Sequence, residues 1–203
     1  MQKIIKSALA ILLFVSTSAF AVEALKGNPQ EVIEQATNGV ASQLAKVAKE
    51  DRSDEMIRDL VLNSIIPAVD QRRFAMGALG KHWRTASPEQ RQAFIERYRD
   101  LQIRIYSKAF KAFSGEHFVV EDVSYNDSKD KAIVKGNLIQ ADGRPIPIQF
   151  RMYQNDSNSP WLIYDAVVSG LSMMKTYRDQ LNERLQKISL NELLDELSEQ
   201  LNN

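Results

Sequence analysis

The sequence predicts an α+β fold in which helices cover a four-stranded antiparallel sheet. Apolar residues recur at helical spacing up to residue 115 and again after residue 171, and they alternate with polar residues in between. The predicted helical part therefore spans residues 28–115, the sheet 118–168 and the C-terminal helices 171–201. Short turns join the predicted strands, which favours antiparallel pairing of neighbours, as in a meander.

Cap residues place the first three predicted helices. Asn28 followed by Pro29 is a favourable helix start, because Asn caps well and Pro suits the first helical position. A second short helix begins near Ser53 and is ended by Pro67. Asp70 can cap a third helix. The sequence thus predicts three helices ahead of the longest one.

The longest predicted helix begins at Ser87-Pro88-Glu89-Gln90, where Ser is the N-cap, Pro the first helical residue and Gln the third. Two neighbouring apolar stripes follow. One contains Phe94, Tyr98, Leu101, Ile105, Ala109 and Ala112, and the other contains Tyr106, Phe110 and Phe113. The apolar face is therefore widest toward the C-terminal end, which predicts two packing partners there.

Alternation predicts strands at 118–125, 131–140, 146–154 and 161–168. The third strand is the most regular, with Ile146, Ile148, Phe150 and Met152 on one face. Beyond the sheet, helical spacing returns at 171–187, and a capping box at Ser189 precedes a leucine stripe. We find no repeat and no linker long enough to divide the rest of the chain into separate domains.

The first 21 residues have the features of a secretory signal peptide. Lys3 and Lys6 precede a short apolar run, and Ala19-Phe20-Ala21 is a small-x-small cleavage site. The apolar run is far shorter than the roughly 20 residues needed to span a bilayer. We therefore expect cleavage after Ala21 and a single mature domain at 22–203, while a retained membrane anchor is the alternative.

Composition narrows the chemistry. The chain has 26 basic and 26 acidic residues, which argues against general nucleic-acid binding. It has no Cys, and its two histidines, His82 and His117, have no metal-binding spacing, so no metal site is expected. Gly170-Leu171-Ser172 begins like a nucleophile elbow but lacks the second glycine. We identify no catalytic constellation.

Basic residues concentrate in one part of the chain. Residues 72–111 contain ten basic and three acidic side chains, a local charge of +7. Such a stretch is usually a solvated helix face, and the alternative is a docking surface for an anionic membrane or an acidic partner. Arg91, Arg97 and Arg104 are the candidate docking residues. The aromatic residues leave a similar choice open, because periodicity cannot distinguish a filled core from a lined cavity.

Several short motifs together resemble the MlaC family of periplasmic phospholipid-binding proteins, also called the toluene-tolerance family. The motifs are Pro67-x-x-Asp70, Leu79-Gly80 with Trp83-Arg84, Ala86 through Arg91 to Phe94, Tyr106, Trp161 to Asp165, Gly170-Leu171-Ser172 and Tyr177-Arg178. Each motif is weak alone, but their order and spacing across nearly the whole mature chain are fairly specific.

The resemblance implies an NTF2-like curved sheet closed by helices around an apolar pocket for phospholipid tails, with no cofactor and no catalytic residues. It also implies exchange of lipid with an outer-membrane lipoprotein complex and an inner-membrane ABC transporter, and we expect a monomer. The alternatives are an NTF2-like enzyme or an interaction module with a filled core. The candidate pocket residues are Phe74, Leu79, Phe94, Tyr98, Leu101, Ile105, Tyr106, Ile148, Phe150, Met152, Tyr164, Met174 and Tyr177.

Overall fold

The computed structural model describes residues 24–202, so the predicted signal peptide lies outside the described residues. Seven α-helices occur in this range: α1 Pro29–Leu44, α2 Asp54–Leu60, α3 Gln71–Leu79, α4 His82–Thr85, α5 Pro88–Lys111, α6 Met173–Arg184 and α7 Leu190–Asn202. None of the helices in the described range is both long enough and apolar enough to cross a membrane.

The predicted N-terminal caps of α1 and α5 are present. The Asn28 side chain accepts a hydrogen bond from the Glu31 backbone, while the Glu31 carboxylate accepts one from the Asn28 backbone. Ser87 and Gln90 make the same reciprocal pair at the start of α5. Each pair satisfies two backbone N–H groups that a helix start otherwise leaves unpaired.

The sheet is an antiparallel meander with strand order β1-β2-β3-β4-β5. Its strands are β1 His117–Tyr125, β2 Lys131–Ile139, β3 Pro145–Tyr153, β4 Leu162–Val168 and β5 Leu171–Ser172. The four predicted strands are thus confirmed to within a few residues. The fifth strand has only two residues, which the sequence analysis assigned to the following helix. A strand this short has no periodicity to detect.

Three other short elements escaped the sequence analysis. The four-residue helix α4 carries the buried Trp83 between α3 and α5. A π-helical segment, Val61–Ile65, directly continues α2, and a 3₁₀ turn at Ile66–Ala68 follows it. Neither segment is long enough to show an apolar stripe of its own. The π-helical segment and the 3₁₀ turn bring Ile65 and Ile66 against the interior.

Buried residues form two principal clusters. The sheet-side cluster joins α1 to the inner face of the sheet and includes Ile33, Val134, Met152 and Trp161. The helix-side cluster joins α3, α5, α6 and α7, with Phe94 fully buried within it. The fold class is therefore confirmed as α+β, with helices packed against one antiparallel sheet.

Candidate functional site

The space between the sheet and the helices is not completely filled. A cavity of about 600 Å³ lies there, walled by β3 and β4 on one side and by α1, α3, α5 and α6 on the other. Protein interiors normally contain few voids larger than a water molecule. A cavity of this volume is in the range of small-molecule sites, which are usually concave and mostly apolar.

The sheet wall is built by strand alternation. Ile146, Ile148 and Phe150 of β3 all line the cavity, as expected for alternate residues of one strand. Ala166 and Val168 line it from β4. The Phe150 ring packs edge-on against Phe118 with their centroids 5.4 Å apart. The regular third strand of the sequence analysis therefore supplies much of this wall.

A β-bulge decides which residues of β4 face inward. Arg151 pairs with Asp165 and Met152 pairs with Ile163, so Tyr164 is the extra residue in the ladder. A bulge reverses the alternation on either side of it. Ile163 and Ala166 therefore both line the cavity although they are three residues apart.

The helical wall comes mainly from the C-terminal half of α5. Gln102, Ile105, Tyr106, Ala109 and Phe110 line the cavity in successive turns of this helix. Smaller contributions come from α1, α3 and α6, through the residues Ile33, Ala36, Thr37, Ala41, Gln71, Phe74, Met173 and Tyr177. The second apolar stripe on α5 therefore faces empty space, while the first stripe packs mostly against protein.

Charge is almost absent from the wall. Glu116 is the only ionisable acid or base, apart from tyrosines, among the cavity-lining residues of the described chain. Its carboxylate accepts a hydrogen bond of 2.6 Å from the Ser114 backbone. Burial raises the pKa of Tyr106 to about 12, with a further contribution from the neighbouring Tyr177 phenol. Burial likewise raises the pKa of Tyr177, so both phenols are neutral at physiological pH.

Six of the thirteen candidate pocket residues line this cavity. They are Phe74, Ile105, Tyr106, Ile148, Phe150 and Tyr177. They come from α3, α5, β3 and α6, four elements that are separate in the sequence. The fold thus brings these six residues together around one cavity.

The other seven candidates do not line the cavity. Leu79, Phe94, Tyr98, Leu101 and Met174 belong to the helix-side cluster, Met152 is fully buried in the sheet-side cluster, and Tyr164 packs against Tyr153. The bulge explains Tyr164, because it is the extra residue at that point of β4. The remaining six pack against other residues of the protein, whereas the sequence analysis placed them in the wall of the pocket.

Several lining residues were absent from the candidate set. Phe110 and Phe113 were recognised only as an apolar stripe on the longest helix, and their wide apolar face was the signal for a second neighbour. Ala36, Ala68 and Ala166 gave no signal, because a small residue facing a cavity cannot be distinguished by sequence from one that permits close packing.

The three candidate docking arginines differ in their contacts. The Arg91 guanidinium donates to the backbone carbonyls of Trp83 and Arg84, so it connects α5 to α4. Arg104 donates to the carbonyl of Gln200 near the end of α7. Arg97 has no hydrogen bond or ion pair with any other described residue. Arg97 is therefore the most available of the three for an external partner.

The residues considered for catalysis have structural contacts. Ser172 caps α6 by accepting from the Lys175 backbone, and its hydroxyl donates to Asp165 at 2.7 Å. His82 lies 3.2 Å from the Asn182 side chain. Within residues 24–202 no group of three or more His, Asp or Glu residues is arranged to hold a metal ion.

Comparison of the sequence with models of known protein families identifies the family of this chain. The family model described as MlaC protein matches residues 34–199. The chain belongs to the MlaC family. Membership confirms the resemblance drawn from the sequence motifs and confirms that the chain is not an enzyme. The matched range includes every helix and strand that lines the cavity, apart from the first turn of α1.

Two bacterial proteins are similar to this chain in sequence. The chain is 25% identical over 175 residues to the intermembrane phospholipid transport system binding protein MlaC of Haemophilus influenzae, covering 84% of this chain and 82% of the relative. It is 24% identical over 161 residues to toluene tolerance protein ttg2D of Pseudomonas putida, covering 78% of this chain and 74% of the relative.

A solved structure shares the fold. The phospholipid-binding protein from Ralstonia solanacearum, solved in complex with a phospholipid, superimposes with a TM-score of 0.76 at 23% identity. The match covers 87% of this chain and 100% of the other. The α+β arrangement described above is therefore the fold of that protein as well.

Proposed function

We propose that this MlaC-family chain is a soluble periplasmic carrier of phospholipid. It shuttles lipid between an outer-membrane lipoprotein complex and an inner-membrane ABC transporter, and thereby maintains the lipid asymmetry of the outer membrane. The observation that carries the proposal is the cavity of about 600 Å³ with its nearly uncharged wall. The names of the Haemophilus influenzae relative and the Ralstonia solanacearum structure support phospholipid as the ligand.

The energetics of acyl chains explain why such a carrier needs an enclosed apolar site. Two acyl chains contain about 30 methylenes, and each contributes about 0.8 kcal/mol on leaving water, or roughly 24 kcal/mol in total. Escape of lipid into water is therefore extremely slow. A protein that moves lipid between membranes must cover the chains with comparable apolar surface. Ile148, Phe150 and Phe110 supply surface of this kind.

Native mass spectrometry of the purified protein tests the proposal. The carrier should retain phospholipid through purification, and chloroform–methanol extraction should release lipid in a defined ratio to protein. A protein without lipid, and without the capacity to take lipid from vesicles, would contradict the carrier function. An interaction module with a filled core predicts that negative result, and an NTF2-like enzyme predicts turnover of the bound molecule.

The proposed location depends on the N-terminal segment. We expect signal peptidase to cleave after Ala21, which would leave Val22 as the first residue of a monomeric periplasmic protein. Intact-mass measurement of the periplasmic fraction tests this directly. A different N-terminus, or tight retention in the membrane fraction, would contradict the assignment.

The basic stretch at residues 72–111 is proposed to contribute to docking on a membrane-bound partner. Arg97 is the residue to change, because Arg91 and Arg104 already bind backbone carbonyls within the protein. Arg97→Glu should slow association with partner-containing membranes and make the association rate less dependent on salt. Exposed charges act mainly by guiding the approach of the two partners, and salt screens that effect. Lys131→Glu, on an exposed end of the sheet, is the charge-matched control. Equal rates for both variants would leave the stretch as a solvated face.

A further inference from the structure

The cavity wall contains hydrogen-bonding groups that hydrocarbon chains cannot use. Tyr106 on α5 and Tyr177 on α6 both line the cavity, and neither phenol has a hydrogen-bond partner within residues 24–202. The two rings are close enough for the charge of one to affect the pKa of the other. A polar group facing an apolar ligand without a partner is unfavourable, so this pair needs an explanation in terms of the ligand.

A third polar group lies beside them. Gln102 lines the cavity one helical turn before Tyr106, and only 4% of its surface is exposed. Its amide lies next to the Tyr98 hydroxyl, which is buried without a hydrogen bond of good geometry. We call Gln102, Tyr106 and Tyr177 the polar trio. They converge from two helices on one part of an otherwise apolar wall.

The polar trio lies beside an accessible part of the wall. Ile105, which directly precedes Tyr106 on α5, also lines the cavity, and 42% of its surface is exposed. Gln102 is three residues before Ile105, which corresponds to about 4.5 Å along the helix axis. The Gln102 and Tyr106 side chains therefore lie within roughly one helical turn of this accessible part of the wall.

In a diacyl phospholipid this distance has a chemical counterpart. The headgroup prefers water, the acyl chains prefer the apolar wall, and the two ester carbonyls lie between them. Ester carbonyls accept hydrogen bonds, while the two phenols and the Gln102 amide can donate them. An ether linkage at the same place has no carbonyl oxygen to offer.

Resting on the proposed phospholipid-carrier function, we propose that the polar trio binds the ester carbonyls and makes the cavity selective for diester over diether lipids. The trio fixes how deeply the lipid enters, and the headgroup stays at the rim. Glu116 is the only charged side chain among the described wall residues, so no basic group holds the phosphate there. Recognition is therefore concentrated on the linkage that diacyl glycerolipids share, whatever their headgroup.

A competition between two matched lipids tests the inference. The purified mature protein is incubated with vesicles containing equal amounts of dioleoyl phosphatidylglycerol and its diether analogue with the same chain length and headgroup. Native mass spectrometry then measures the ratio of the two bound lipids. Wild-type protein should favour the diester by about fivefold, the effect of one net hydrogen bond of about 1 kcal/mol.

Phenylalanine variants remove only the hydroxyl groups. Tyr106→Phe combined with Tyr177→Phe should reduce the ratio to about one while the protein still binds lipid. Tyr164→Phe is the matched control, because Tyr164 does not line the cavity and packs against Tyr153, and it should keep the fivefold preference.

The outcomes separate the two proposals. Equal binding of both lipids by wild-type protein, or an unchanged preference in the double variant, would overturn ester recognition while the carrier function stands. Failure of wild-type protein to bind either lipid would overturn the carrier function and this inference with it. Melting curves show whether the double variant is folded. If it is not, the ratio of bound diester to bound diether lipid is measured on the single Tyr106→Phe and Tyr177→Phe variants instead.

Discussion

Two alanine-to-leucine substitutions should have opposite effects on stability, because one position faces the cavity and the other a filled core. Ala166 lines the cavity from β4, opposite Phe150 in the ladder. Ala132 is 3% exposed and packs in the sheet-side cluster. Both positions are in central strands, so the strand preference of leucine affects them similarly. They differ in whether there is space for a larger side chain.

The size of each effect follows from the space available. Ala166→Leu adds three carbons that can enter the cavity, which stabilises by about 2.4 kcal/mol at 0.8 kcal/mol per carbon, less about 0.5–1 kcal/mol for the ordered side chain. The net gain of about 1.4–1.9 kcal/mol corresponds to a Tm rise of about 3–8 °C. Ala132→Leu overpacks a filled core and should cost about 1–3 kcal/mol.

Lipid binding should respond in the opposite sense. The leucine at position 166 occupies space that three methylenes of an acyl chain would fill, which weakens lipid binding by about 2.4 kcal/mol or about 50-fold. Ala132→Leu should leave the lipid content per folded molecule unchanged.

Urea unfolding of delipidated protein and native mass spectrometry of loaded protein give the two measurements. If Ala166→Leu destabilises as much as Ala132→Leu, the space beside Ala166 is already filled and the reasoning from the cavity fails.

Three further substitutions test the wall and its supports. Phe150→Asp should lose bound lipid yet stay folded, because water can enter the emptied cavity and solvate the carboxylate; a folded variant with its full lipid load would remove Phe150 from the site. Asp165→Asn should cost about 1.5–3 kcal/mol, because this fully buried carboxylate accepts from Arg151, Ser172 and the Met174 backbone; an unchanged urea midpoint would contradict that. Gly136→Ala should cost about 1–3 kcal/mol, because its new Cβ would lie 2.1 Å from the Val119 carbonyl oxygen; melting at the wild-type temperature would refute it.

Most helices and strands of this fold could be predicted from the sequence, because each has a local signal in its own residues. The capping box at Ser87 and Gln90 fixed the start of α5, and alternation in β3 fixed the inward face of its residues. The four-residue helix α4 and the two-residue strand β5 were missed, since neither is longer than one period of its own pattern.

The sequence was a much poorer guide to which apolar residues pack in the core and which line the cavity. Phe94 and Ile105 lie on the same predicted stripe of α5, yet Phe94 is fully buried against other helices and Ile105 lines the cavity. What separates them is the neighbour across the interface, and that neighbour comes from α6 and α7, about 80–100 residues further along the chain. Periodicity reports which face is apolar and carries no information about what it meets.

Filled cores on both sides of the cavity hold its walls apart. Unsupported apolar walls tend to collapse, because dispersion attraction draws them together across an empty space. Here Met152 and Trp161 close the sheet side, and Phe94 with the leucines of α7 holds the helices apart from it. Several candidate residues pack against protein and do not line the cavity. They still contribute to the site, because they keep apart the two walls that carry Ile148 and Tyr106.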